Sequence, residues 1–132
     1  MSNNYGLNRY KQTAVTTANR GQVLLMLYES CIKYTRQAIQ ASKEKNLSEK
    51  GKYIIKTHDI LNELSLSLDH QVGGEISKEL ERLYNFMIEQ LTEANIKNDS
   101  KPLETNLRLL EKLYEGWVGA VKQVSSTTSK LE

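Results

Sequence analysis

Two histidines, one cysteine and sixteen carboxylates are the side chains of this 132-residue chain with the chemistry of a nucleophile, a base or a metal ligand. Their spacing serves none of those roles. A di-iron centre in a helical bundle takes Glu-x-x-His pairs projecting inward, but the positions three before His58 and His70 hold Ile55 and Ser67. Zinc needs a closed set of Cys, His or carboxylate ligands at short intervals, and Cys31, His58 and His70 are not so spaced. A phosphotransfer histidine needs an exposed helical face with small and basic residues following it. His58 is followed at +3 and +4 by Leu61 and Asn62 and falls in the apolar sector of its helix, so it reads as a core or groove residue. His70 reads as a helix-end residue that caps or faces solvent. Glu111 and Glu115 share a helix face as any solvated i,i+4 pair does. With no glycine-rich phosphate loop and no nucleophile–base spacing, the chain is expected to be no enzyme and to hold no cofactor or metal.

The bulk composition points the same way. Cys31 has no partner for an intramolecular disulfide, which suits a reducing, cytoplasmic compartment, and its neighbours make it a small buried hydrophobe. Eighteen basic and sixteen acidic residues leave a net charge of +2. The densest basic stretch, residues 43–56, is interrupted by Glu44 and Glu49 and reads as a solvated helix end and loop rather than a nucleic-acid stripe. No apolar run approaches the ~20 residues of a membrane span, and the polar N-terminus is unlike a signal peptide. Neither nucleic-acid binding nor membrane insertion is expected.

One proline and seven glycines leave a chain poor in helix breakers, and its abundant Lys, Glu, Leu and Gln are good helix formers. Four helical patterns follow one another. The first starts at Asn19, a cap with Gln22 three residues on, and runs to about Lys43. The second starts after Ser48 as cap, with Leu47, Ile54, Leu61 and Leu68 repeating every seven residues as a seam for a neighbouring helix. Ile55 and Leu66 fall roughly 120–140° off that seam at 100° per residue. The linker 69–74 ends in Gly73-Gly74, which permits a sharp reversal. The third helix covers about 75–94, with Tyr84 and Ile88 widening its stripe. After a turn at Asn98-Asp99-Ser100, Pro102 sits where a first-turn proline is tolerated, and the fourth helix runs to about Val124.

Helices of ~20–25 residues with short connections make an antiparallel up-down four-helix bundle. The expected organisation is a leader or cap over residues 1–18, the bundle over 19–124 and a disordered tail over 125–132. The leader spends Tyr5, Leu7, Tyr10 and Val15 in a polar background, which disordered tails rarely do. It reads either as a cap packed on the bundle or as a movable plug or docking motif. Tyr34 and Trp117 read as core. Leu25, Tyr28, Ile32, Ile55, Leu66, Ile88 and Leu109 exceed what one bundle core needs, and contiguous apolar surface of this kind marks an interaction site unless the leader or a second copy covers it.

Several segments, in order, resemble one family. Leu7-Asn8-Arg9-Tyr10-Lys11-Gln12-Thr13, then Thr17-Ala18-Asn19, then Leu24-Leu25-Met26-Leu27-Tyr28-Glu29 are similar to the start of the flagellar secretion chaperone FliS. Ile60 to Leu64 with Ser67-Leu68-Asp69, Gly73-Gly74-Glu75-Ile76 with Leu80 and Leu83-Tyr84, and residues 110–117 continue the resemblance over about residues 5–122. It departs at Asn19-Arg20, where the family has Ser-Pro, and at Glu29-Ser30, where it has Asp-Gly. The resemblance implies a bundle that holds the disordered C-terminal segment of flagellin in the cytosol, prevents its premature polymerisation and docks with the export-gate protein FlhA. Some members also bind an anti-sigma factor. On that footing the off-seam residues Ile55, Asn62 and Leu66, with Tyr84 and Ile88, are expected to contact the cargo, and Leu7 and Tyr10 to plug the groove or dock at the gate. The rival reading is a homodimerising helical adaptor without enzymatic activity.

Overall fold

A computed structural model describes residues 20–131, with side chains described for 20–124. Four helices run in sequence: α1 (Arg20–Lys43), α2 (Leu47–Leu66), α3 (His70–Lys97) and α4 (Lys101–Leu131). Each packs against two neighbours in a ring. α1 lies against α2 and α4, and α3 against α2 and α4, so α1 and α3 face each other across the diagonal. This is the four-helix bundle the patterns predict.

The connections are short because each is built from caps. At the end of α1, the Lys45 N–H donates to Ser42 O and the Asn46 N–H to Ala41 O, with Lys45 left-handed at φ 58°. That pair of bonds is a Schellman stop. Asn46 is then at once the cap of α2, its side chain accepting from the Glu49 N–H at 3.2 Å. The expected cap Ser48 is instead inside the first turn, since the Schellman stop leaves no room for a longer loop.

Asp69 caps α3, its carboxylate accepting from the N–H groups of Gln71 and Val72. This nucleates a helical turn over residues 70–73, which the sequence places in the linker. The break falls at Gly74, with φ 51° and ψ −124°, a region open to glycine alone. A Cβ on Gly73 would stand 1.8 Å from Ser77 Oγ, the hydroxyl that donates to Asp69 O. Both glycines are therefore used: one for its conformation, the other for a close approach. α3 also runs three residues beyond the expected end at Ala94. Asn98, left-handed at φ 51° and ψ 38°, stops it. α4 likewise extends past Val124 to Leu131, into the segment expected as a disordered tail. Adding a residue to an existing helix needs no new nucleus. The expected cap Asn19 lies outside the described residues.

The core is one cluster fed by all four helices, including Tyr28, Leu61, Leu64, Tyr84, Met87, Leu91, Leu103 and Leu110. Cys31 is fully buried within it, as expected. Tyr28 and Ile32, expected among the surplus, are buried as well. Trp117 and Tyr34 are half-buried at its edge. Asn106 on α4 is buried too, and donates to Met87 O at 2.9 Å, tying α4 to α3. Lys50, only 1% exposed, threads to the end of α3, where it donates to Ala94 O, Asn95 O and Asn98 Oδ1.

Candidate functional site

The residues able to do acid–base chemistry stay apart. His58 is part-exposed, with Nδ1 4.0 Å from Asp59. His70, the first residue of α3, pairs with Glu81 at 2.9 Å. Glu111 is held by Arg36 at 3.2 Å. Among the described residues no group of three His, Cys, Asp or Glu could hold a metal ion. No described helix is long and apolar enough to cross a membrane.

What the bundle does present is apolar surface along α2 and α3. The core side of α2 carries Ile54, Thr57, Ile60, Leu61 and Leu64. The opposite side carries Ile55, 63% exposed, and Leu66, 81% exposed. Asn62, also exposed, falls with Leu66 within ~20° of Ile55 on the helical wheel, and the three span about 16 Å of the axis. The sequence-predicted residues of α2 therefore form one exposed strip.

Beside that strip, α2 and α3 leave a shallow depression of about 310 Å³, lined by Ile54, Ile55 and His58 from α2 and by Leu91, Thr92, Asn95 and Ile96 from α3. His58 is thus a groove residue, one of the two places expected for it. It shares that lining with Thr92 and Asn95 as well as with isoleucines and Leu91.

The residues chosen on α3 behave differently. Tyr84 is 1% exposed, with its hydroxyl against that of Tyr28 at 2.6 Å. It is a core residue and offers no side chain to a partner in this arrangement. Burial lifts its ionisation well above the usual phenol range. Ile88 is half-buried against the core, on the edge rather than the open face. Leu109 and Leu25 are half-buried too. The leader residues Leu7 and Tyr10 lie outside the described residues.

Further apolar residues stand exposed on α3. Ile96 lines the depression, while Val72 and Ile76 stand open in the first turns, although Ile76 opens the helix's 3–4 apolar spacing and reads from it as a core position. Periodicity assigns a residue to a face of its helix. It does not say which turns have a neighbour to cover them. Ile96 was legible only to a reading that carried α3 one turn past Ala94.

A profile described as flagellar protein FliS matches residues 1–124. The chain belongs to the FliS family. It is 33% identical over 113 residues to the flagellar secretion chaperone FliS of Bacillus subtilis (strain 168), covering 86% of this chain and 84% of that one. It is 32% identical over 129 residues to the flagellar secretion chaperone FliS of Salmonella typhimurium, covering 94% and 93%. A crystal structure of a bacterial flagellar chaperone superposes with a TM-score of 0.76 at 22% identity, over 92% of this chain and 98% of that one. That likeness shows the fold. The FliS relatives are named as chaperones rather than enzymes.

Proposed function

We propose that this FliS-family chaperone binds the disordered C-terminal segment of flagellin in the cytosol, prevents its premature polymerisation and delivers it to the export gate through FlhA. The carrying observation is the exposed strip Ile55–Asn62–Leu66 beside the α2–α3 depression. An amphipathic segment folding onto such a face buries its own apolar residues, which would otherwise drive assembly with other subunits. Recognition is then helix-in-groove, with the cargo ordering as it binds. The cost of that ordering keeps the complex reversible, as export requires. An anti-sigma factor is a further partner suggested by the family.

Calorimetric titration with a flagellin C-terminal peptide of about 40–50 residues tests this reading. Saturable one-to-one binding with a negative heat-capacity change, the mark of apolar burial with folding, is expected. Absence of binding at ~100 μM by a folded chain would return the protein to an adaptor of unknown partner.

A further inference from the structure

Two lysines of the densest basic stretch, Lys52 and Lys56, do not line the α2–α3 depression. They stand with Lys33 on the other flank of α2, against α1. There Tyr34 of α1 and Tyr53 of α2 stack with ring centroids 6.1 Å apart and planes 23° from parallel. Lys56 Nζ stands 5.1 Å from the Tyr34 ring and 6.0 Å from the Tyr53 ring. Lys52 Nζ is 5.3 Å from Tyr53, and Lys33 Nζ is 5.8 Å from Tyr34. Both rings pack against the core cluster, so the bundle fixes the platform rather than leaving it to mobile side chains.

None of these three lysines makes an ion pair among the described residues. The acids one turn away are occupied or turned elsewhere. Glu29 accepts from the Tyr114 hydroxyl at 2.7 Å, Asp59 lies 4.0 Å from His58, and Glu49 makes no ion pair with Lys52. Three ammonium groups therefore surround a flat aromatic pair with no carboxylate among the described residues set against them. Cation–π attraction holds each in place, but it leaves the charge un-neutralised.

We propose that this face of α1 and α2 docks an acidic segment of a partner polypeptide, with carboxylates set among Lys33, Lys52 and Lys56 and an apolar or aromatic side chain laid on the Tyr34–Tyr53 pair. Tyrosine presents an apolar body and a polar tip and is enriched at protein interfaces for that reason. A nucleic-acid backbone would call for a longer track, about 6–10 phosphate contacts in a typical binder, whereas Lys52 and Lys56 lie only ~6 Å apart along the axis. A membrane surface would call for a broad apolar face beside the charges, and the most exposed large apolar residues of α2, Ile55 and Leu66, belong to the other strip. The site is independent of the cargo reading: it shares no residue with the strip or the depression.

The probe is a fluorescent amphipathic peptide carrying Glu and Asp with Leu and Phe at helical spacing, titrated with the full chain by anisotropy at about 0.05 M salt. Saturable binding is expected, weakened at least about tenfold by the double change K52E/K56E, with the circular dichroism of the bundle unchanged. The same variant should gain affinity for a charge-inverted probe bearing Lys in place of Glu and Asp, a swap that loss of folding cannot imitate. Leu66→Asp should leave probe binding intact, and K52E/K56E should leave flagellin-peptide binding intact. No saturable binding up to ~100 μM, equal binding by K52E/K56E, or equal binding of an all-Glu peptide lacking apolar residues would overturn the proposal. So would tighter binding of duplex DNA or of phosphatidylglycerol vesicles than of the probe.

Discussion

The hydroxyls of Tyr28 and Tyr84 meet at 2.6 Å in the centre of the bundle, joining α1 to α3 across its diagonal. Both side chains are sealed from solvent. Removing one hydroxyl strands the other in an apolar site, at a cost of about 1–3 kcal/mol. Tyr28→Phe and Tyr84→Phe should each destabilise by about that much, while the double variant loses clearly less than the sum. Urea unfolding can be followed by Trp117, whose ring centroid is 6.4 Å from that of Tyr28. Additive losses would show that the two hydroxyls are not partners.

The same burial makes the fold sensitive to alkali. Desolvation raises the Cys31 thiol from 9.0 to about 12, and raises Tyr28 and Tyr84 above 10.0. Above these ordinary values the unfolded chain has released protons that the folded chain still holds, so stability falls as pH rises. Their contribution is fully present below pH 9.0 and is lost progressively, for the thiol through about 12 and for the phenols from 10.0 upward. Cys31→Ala should move the onset of the decline toward 10.0. A urea midpoint measured across this range checks it, and a midpoint independent of pH would count against the buried assignment.

Lys50 supplies a third test. Its ammonium lies 3.3 Å from both Ala94 O and Asn95 O and also donates to Asn98 Oδ1, placing a positive charge where the dipole of α3 is negative. Lys50→Met keeps much of the stem volume but orphans these acceptors, so a loss of about 1.5–3 kcal/mol is expected. Hydrogen exchange should quicken selectively in the turn at residues 94–101. A variant as stable as the parent, with that turn still protected, would remove Lys50 from this role.

The same residues show where sequence reasoning reached and where it stopped. Four helices, their order and their seams were legible because apolar spacing repeats at the helical period and the breaks carry Asn, Asp and paired Gly. The start of α2 was not, because Lys45 adopts a left-handed conformation that its residue type does not announce. Tyr84, expected to contact cargo, stands in the core for a similar reason. Its wheel position is ambiguous, and its hydroxyl is settled inside only by a partner 56 residues away. Lys50, a lysine in a charged stretch, gave no sign that it would be buried. Ile55, Asn62 and Leu66 were recoverable as one strip because they lie off the core seam of a single regular helix, so no knowledge of its neighbours was needed.

That strip can be tested without touching the core. Leu66 is 81% exposed, so Leu66→Asp should change stability by less than ~0.5 kcal/mol, as surface substitutions do. A buried charge at an apolar contact should weaken flagellin-peptide binding by at least ~2 kcal/mol, the size of a hot-spot loss. Ile55→Asp should behave alike. Titration calorimetry on both variants, with thermal melts alongside, separates the two effects. Undiminished binding in both would move the cargo site off this face.

Three positions of the bundle take a positive φ, Lys45, Gly74 and Asn98, and only one of them is glycine. Gly74, at φ 51° and ψ −124°, lies where a side chain is strained whatever the space around it. Gly74→Ala should therefore cost about 1–3 kcal/mol, although nothing stands within 4 Å of the added Cβ. Lys45 holds φ 58° with a full side chain, and it is exposed with no ion pair among the described residues to compensate. Lys45→Gly relieves a left-handed cost of roughly 1–2 kcal/mol but loosens the unfolded chain. The net expectation is stabilisation by up to about 1 kcal/mol. The pair of variants thus moves the urea midpoint in opposite directions. A fall in both would mean that Lys45 contributes a contact that outweighs its strain, and the Schellman stop would then owe its place to that side chain rather than to the backbone bonds of Lys45 and Asn46.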